Sequence, residues 1–376
     1  MKPIQLVDLR SQYHEIKEEV DQAILEIMDN SAFIGGSHVK GLAKELEDYL
    51  DVKHVIPCAN GTDALQIALM AINAKPGDEI LTPSFTYIAT CEVIALLGLT
   101  PVFVDVDPDT FTIDPIDLRK KITSKSTAIV PVHLYGQCAN MDEICAIAKE
   151  HGLKIIEDTA QAIGAKYTGA HFTKSAGGIG DIGTTSFFPS KNLGCYGDGG
   201  AIFTNDDDLA DYIRKIANHG QSKRYYHDII GVNSRLDNMQ AAVLRIKLRK
   251  LDEYARRRQA VAAHYKERFA HLAEISTPVV AAWSTHVYHQ YTMKLHGVDR
   301  EGLQAALTEQ GIPSNIYYPV PAHKQKGYDH YYDSSKDKLE ITDILSAEVL
   351  SLPIHTEMEM DQLEHITNTI LSYIKK

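Results

Sequence analysis

Three groups of residues in this sequence have types and settings suited to chemistry. Lys191 stands in Ser186-Phe-Phe-Pro-Ser-Lys-Asn192, just past an aromatic, strand-like run and before the glycine-rich 194–200. Most lysines are solvated surface groups. One held between a buried strand and a glycine-rich turn is partly stripped of water, so its amine is more often neutral and can attack an aldehyde. Asp158 closes the apolar run 153–157 and should project from the carboxyl edge of a sheet, where α/β proteins bind ligands. An isolated Asp there is equally a plain loop residue. A carboxylate in that place can also hold a pyridine nitrogen protonated, and the cationic ring then draws electrons from a neighbouring carbanion. Finally, Cys58-Ala-Asn-Gly-Thr-Asp-Ala-Leu65 places Gly61 and Thr62 at the turn between a strand and a helix. The free N–H groups and dipole of a helix start bind anions, with the Thr62 hydroxyl as an extra donor. Taken alone, Thr62 is simply a helix cap. Each signal is weak by itself. In this order along one chain they describe a phosphorylated pyridine aldehyde held by a lysine.

Such groups need a scaffold, and the hydrophobic pattern supplies one. Between residue 54 and about 220, short apolar runs alternate with helical periodicity. Strands are expected at 54–58, 79–82, 101–106, 128–133 and 153–157, and helices at 62–72, 87–97 and 141–150. Continuous apolar strands separated by helices call for an α/β fold, a mainly parallel central sheet flanked by helices. An amphipathic N-terminal helix is expected over 8–29, on Ile16, Val20, Ile24 and Ile27. Beyond residue 235 a long charged helical stretch runs from 237 to about 272. Its Arg256-Arg257-Arg258 reads as a solvated face. A strand at 289–294 and helices at 300–310 and 357–374 make a smaller α+β domain, with 324–340 polar and loosely patterned. The expected division is a large domain over 1–250 and a small C-terminal one over 251–376.

Other chemistries are excluded. Gly178-Ile-Gly-Asp-Ile-Gly183 matches G-x-G-x-x-G, but a dinucleotide loop follows a strand and opens a helix, whereas this one leads into the strand-like 184–188. The chain has 376 residues, 44% apolar and 23% charged, the mixture of a soluble globular protein. A net charge of -12 argues against nucleic-acid and membrane-surface partners, which reward a basic face. Five scattered cysteines with no C-x-x-C suggest free thiols in a reducing cytosol and no metal site. The first residues lack the apolar run of a signal peptide, and no stretch has the length of a membrane span, so a cytoplasmic enzyme is expected.

Several motifs together resemble the DegT/DnrJ/StrS family of nucleotide-sugar aminotransferases, which have the fold-type I architecture of pyridoxal-phosphate transferases. They are 61–65, Pro83-Ser-Phe-Thr-Tyr-Ile-Ala-Thr90, Pro101-Val-Phe-Val-Asp-Val-Asp107, Pro131-Val-His-Leu-Tyr-Gly136, Glu157-Asp-Thr-Ala-Gln161, 186–200 and Gly231-Val-Asn-Ser-Arg-Leu-Asp237. The resemblance implies pyridoxal 5'-phosphate as cofactor, with pyridoxamine 5'-phosphate in turnover. Lys191 would carry it as a Schiff base, Asp158 would pair with the pyridine nitrogen, and Gln161 would approach the ring hydroxyl. Tyr87 would stack on the ring, and Gly61, Thr62 and Ser186 would hold the phosphate. Asn233 would reach the phosphate of a neighbouring subunit's cofactor, so a homodimer with shared sites is implied. Arg235, Tyr317 and Tyr318 would lie near the nucleotide sugar. Glutamate would donate the amine and leave as 2-oxoglutarate. The look is closest to enzymes aminating C3 of a UDP-linked 2-acetamido-3-keto-glucuronate. Tyr317 stands where those members would have histidine, so C3 aminotransferases of dTDP-3-keto-6-deoxyhexoses, or a C4 aminotransferase, stay open. Sugar dehydratases of the same fold carry histidine in place of the lysine, and Lys191 argues against that role. The full set of cofactor residues weighs against a non-catalytic regulator.

Overall fold

The computed structural model of the chain describes residues 1–335 and 337–375. The chain enters through α1 (Leu9–Glu15), α2 (Lys17–Asp29) and α3 (Ser37–Leu50). The main sheet then takes seven strands: β1 (His54–Cys58), β2 (Glu79–Pro83), β3 (Thr100–Val104), β4 (Ser126–Ile129), β5 (Lys154–Asp158), β6 (Ile182–Ser186) and β7 (Gly200–Thr204). Their spatial order is β1-β7-β6-β5-β4-β2-β3. The pairs β2–β3, β2–β4, β4–β5 and β5–β6 are parallel, and β7 alone runs antiparallel to its neighbours β1 and β6. Parallel neighbours require crossovers, supplied by α4 (Gly61–Ala71), α5 (Ala89–Leu96), α6 (Pro115–Lys121) and α7 (Met141–His151).

Both faces of this sheet are covered, which is why its strands read as unbroken apolar runs. Successive residues go to opposite cores. Ile80, Val130 and Ile156 join one cluster with Ile67 and Leu69 of α4. Leu81, Ile129 and Ile155 join the other with Ile144 and Ile147 of α7. Because β1, β5 and β6 point the same way, their carboxyl ends share one edge. Asp158, Ser186 and the start of α4 therefore meet there.

After β7 come α8 (Asp207–Ala217), α9 (Asn238–Leu248) and α10 (Leu251–Phe269). A second, antiparallel sheet joins β8 (Ile275–Ser276), β9 (Tyr291–Leu295) and β10 (Val349–Leu352), and α11 (Arg300–Glu309), α12 (Glu340–Glu348) and α13 (Met360–Ile374) accompany it. Its core gathers Val261, Tyr265, Phe269, Met293, Leu303 and Ile366, and Ile4 from the N-terminus packs into it.

The structure corrects several sequence expectations. The helix expected over 8–29 is two helices, interrupted at Ile16, whose N–H turns to Tyr13 O while its side chain packs with Val20, Val243 and Ile246. The stretch from 237 to 272 likewise breaks at 249–250. The arginine run is not a uniform solvated face. Arg257 pairs with Glu15, Glu253 and Glu357, and Arg258 is buried, donating to the carbonyls of Tyr288, His289 and Ile354. Burial lowers its pKa to about 10. Residue 336, in the loosely patterned 324–340, lies outside the described residues.

Candidate active site

Lys191 follows β6 in a tight turn, with its N–H bonded to Phe188 O at 2.8 Å. Its side chain is half-buried at the carboxyl edge of the sheet. Burial draws its pKa down to about 8, opposed by the carboxylate of Asp158, which faces it. His289, 5% exposed, lies within electrostatic reach of the lysine. Burial, then the charges of Lys191 and Arg258, hold its imidazole well below the usual range, so it is neutral. The lysine is thus a readily deprotonated amine within electrostatic reach of one carboxylate.

Asp158 ends β5. Its Oδ2 accepts from the Thr90 hydroxyl at 2.8 Å and its Oδ1 from Ala160 N–H at 3.0 Å. Two neutral donors fix the carboxylate without neutralising it, leaving acceptor capacity for a cationic N–H. Gln161 is oriented just as firmly. Tyr135 N–H donates to its Oε1 at 2.8 Å, so its NH2 group must face the site, where one hydrogen reaches Tyr318 Oη at 3.1 Å. The second hydrogen is free for a ligand oxygen. Tyr87 is 58% exposed, with its ring 6.2 Å from that of Tyr318.

The phosphate-binding candidates converge at the same edge. Asn60 caps α4 by accepting from Asp63 N–H, which leaves the N–H groups of Gly61 and Thr62 without intrahelical acceptors. Gly61 lies so close to β6 that a Cβ there would sit 2.7 Å from Ser186 Cβ. Ser186 Oγ accepts from Phe188 N–H at 3.2 Å, and its own hydrogen is available to donate. A bare helix start and a serine hydroxyl pressed together are the donor set a phosphate needs.

Among the described residues, no contact brings Asn233 or Arg235 to this group. Both are exposed on the segment leading into α9, although Ser234 between them accepts from Ala59 N–H at 3.0 Å, beside the α4 start. Arg235 makes no ion pair among the described residues. Tyr317 and Tyr318 lie at the site. Tyr317 accepts at its carbonyl from the Tyr135 hydroxyl, and Asn315 Nδ2 donates to its own hydroxyl at 2.8 Å. Sequence reasoning missed Thr90, Tyr135 and His289. Thr90 and Tyr135 fall in the motifs 83–90 and 131–136, which was the available signal, and His289 had none.

The G-x-G-x-x-G run proves to be a nest for the protein's own carboxylate. The N–H groups of Gly177, Ile179 and Gly180 donate to Glu157 at 3.0, 2.7 and 2.7 Å, and His133 Nε2 lies 2.8 Å away. Burial opposes the Glu157 charge, but the bonds from His133, Gly180 and Gly177 outweigh it and hold its pKa below the usual range.

The sequence model of the DegT/DnrJ/EryC1/StrS aminotransferase family matches residues 14–371. The UDP-2-acetamido-2-deoxy-3-oxo-D-glucuronate aminotransferase of Pseudomonas aeruginosa is 46% identical, over 96% of this chain and 98% of that protein. The pleiotropic regulatory protein of Geobacillus stearothermophilus is 44% identical, over 99% of each. Among solved structures, that of S. venezuelae DesV in complex with a ketimine intermediate superposes with a TM-score of 0.95 at 38% identity, covering both chains completely. No helix among the described residues is long and apolar enough to cross a membrane.

Proposed function

The chain belongs to the DegT/DnrJ/EryC1/StrS aminotransferase family, whose members depend on pyridoxal phosphate, and from that premise we propose that it moves the amino group of glutamate to C3 of a UDP-linked 2-acetamido-3-keto-glucuronate. The donor set at the edge of the main sheet fits the cofactor group by group: N–H and hydroxyl donors for a phosphate, a fixed carboxylate for a pyridinium, and an amine of lowered pKa for an aldehyde. The observation that carries the reading is Lys191 facing Asp158 at that edge.

When bound, pyridoxal phosphate supplies an aldehyde to receive the amino group and a pyridinium ring to stabilise the carbon that loses its proton. In this reading Lys191 is the covalent attachment point. Freed during turnover, its amine carries a proton from one carbon to another as general acid and base. Asp158, steadied by Thr90 and Ala160, holds the proton on the ring nitrogen. Gln161 offers its free amide hydrogen to the ring hydroxyl, and Tyr87 covers the ring. Gly61, Thr62 and Ser186 hold the phosphate, with Asn233 of the partner subunit beside them.

A homodimer is part of this proposal. Leu25, Met28, Phe33 and Ile34 are all exposed, and Ile34 bridges to Asp237 at the end of the Asn233 segment. Clustered exposed apolar residues of this kind mark candidate interfaces, and Ile34 adjoins the residues assigned to the shared site. Five free thiols, four of them buried, accord with a cytoplasmic setting.

A second reading is C3 amination of a dTDP-3-keto-6-deoxyhexose, favoured by Tyr317 in place of the histidine expected for uronate users. Arg235 is free to pair with a sugar carboxylate in the first reading. Incubation with UDP- and dTDP-linked aminosugars and 2-oxoglutarate, read by mass spectrometry, tests both. Loss of the amine from the UDP-3-amino uronate supports the first, exclusive use of dTDP-aminohexoses supports the second, and no glutamate from any of them contradicts both.

A further inference from the structure

Two chain segments carry the aromatic residues of the site, and they are tied together at a buried point outside it. Ser84, wholly buried, directly follows β2. Its Oγ lies 2.7 Å from His323 Nδ1 and accepts from the His323 backbone N–H at 3.2 Å, while its carbonyl accepts from Ala322 N–H at 3.0 Å. The Asp343 carboxylate, 3.4 Å from His323 Nε2, favours the ring hydrogen on that nitrogen, so Nδ1 accepts the hydrogen of the Ser84 hydroxyl. The imidazole is 3% exposed and packed between the rings of Phe103 and Tyr332. Burial, helped by Lys324 and Lys121 and opposed by Asp343 and Asp105, lowers its pKa and keeps it neutral.

The residues that follow Ser84 are the ones that meet Tyr318. Phe85 packs edge-on to it at 6.3 Å and Tyr87 lies tilted at 6.2 Å. His323 closes the segment that begins with Tyr317 and Tyr318. One buried, reciprocal hydrogen-bonded pair therefore joins the segment that carries Phe85 to the one that carries Tyr318. We propose that Ser84 and His323 form a latch that positions Tyr318 against Phe85 for the acceptor sugar. The latch rests on the reading of Tyr317 and Tyr318 as sugar-pocket residues. Neither Ser84 nor His323 contacts Lys191, Asp158 or the phosphate-binding donors, so its effect falls on the sugar half of the reaction more than on the glutamate half.

The test compares Ser84→Ala, His323→Ala and His323→Asn with the wild type, measuring KM and kcat for each half-reaction and the melting temperature. Loss of a buried hydrogen-bond partner at the latch corresponds to roughly a tenfold change. The expected result is about a tenfold rise in KM for the ketosugar in Ser84→Ala and His323→Ala. The glutamate half should fall at least about fivefold less, and His323→Asn should recover part of the loss, because its side-chain oxygen can accept where Nδ1 does. Equal losses on both halves, no loss in either alanine variant, or no rescue by His323→Asn would overturn the latch. Failure of the wild type itself to aminate any nucleotide ketosugar would instead overturn the functional reading, and the latch with it.

Discussion

Gly61→Ala isolates the phosphate cradle. The new methyl carbon would sit 2.7 Å from Ser186 Cβ, 3.2 Å from Ser186 Cα and 3.3 Å from Ser186 Oγ. Carbon atoms prefer about 3.5–4.0 Å, so the start of α4 and the end of β6 must separate by several tenths of an ångström. The nearest atoms belong to the strand itself, not to the tip of a flexible side chain. Such overpacking costs about 1–3 kcal/mol. Helix propensity favours Ala over Gly by at most about 1 kcal/mol, which offsets part of the loss in the free protein. In the proposed site the Gly61 N–H and the Ser186 hydroxyl would bind the same phosphate, so the strain would appear on binding. At 1.4 kcal/mol per tenfold, pyridoxal phosphate should bind roughly 5- to 100-fold more weakly while the melting temperature of the apoenzyme barely moves. Equilibrium titration of apoenzyme with cofactor, followed by visible absorbance, reads this directly. Ser186→Ala, which removes the hydroxyl without adding bulk, should weaken binding less, by about one neutral hydrogen bond. If Gly61→Ala binds the cofactor within about twofold of wild type, the assignment of this cradle to the phosphate is wrong.

Other outcomes follow from the same geometry. Asp158→Asn should retain some cofactor but lose most transamination, about a hundredfold or more, because the ring nitrogen would no longer be held protonated; near-normal kcat would remove Asp158 from its role. With a pKa of about 8 in place of 10.5, a shift of about 2.5, Lys191 in the apoenzyme has a neutral fraction at pH 7 roughly 300 times that of an ordinary lysine. The rate of cofactor capture should therefore rise with pH through about 8 and level off; a rate still climbing at pH 10 would contradict the lowered value. Glu157→Gln should destabilise the fold by about 2–3 kcal/mol in urea melts, since an amide hydrogen would then face N–H donors. Because the folded pKa of Glu157 is depressed, its carboxylate stabilises the protein above the unfolded value near 4.5, and that stability is lost as pH falls through the lower folded value. The wild-type advantage over Glu157→Gln should shrink in that acid range, and a constant difference down to the acid transition would count against it. Mixing Asn233→Ala with Lys191→Ala subunits should change activity per remaining wild-type site if sites are shared, and strict additivity would speak against sharing.

The sequence revealed what depends on neighbours along the chain. Asp158 ends an apolar run and Lys191 follows one, so both could be placed at the sheet edge before any coordinates. Alternation of strands and helices was enough for the mainly parallel sheet, because each face is buried and the strands carry that in their composition. Contacts across long sequence distances were not readable. Thr90 reaches Asp158 from 68 residues away, and Tyr135 fixes Gln161 through a backbone N–H that carries no side-chain signature. Arg258 is a different case. It lies in step with Tyr254, Val261, Tyr265 and Phe269, an otherwise buried stripe of α10, so helical spacing marked it as inward-facing even though its neighbours Arg256 and Arg257 suggested a solvated run. The break at Ile16 left no trace, since α1 and α2 continue one periodicity.

The central claim is that Lys191, among the 26 lysines of the chain, is the residue that holds pyridoxal phosphate. Borohydride reduction of the cofactor-loaded enzyme, followed by proteolysis and mass spectrometry, locates the attached group. The expected result is a single modified peptide carrying the reduced cofactor on Lys191, absent in Lys191→Ala. Attachment at another lysine, such as Lys247, whose pKa burial also lowers to about 8, or no attachment at all, would contradict it.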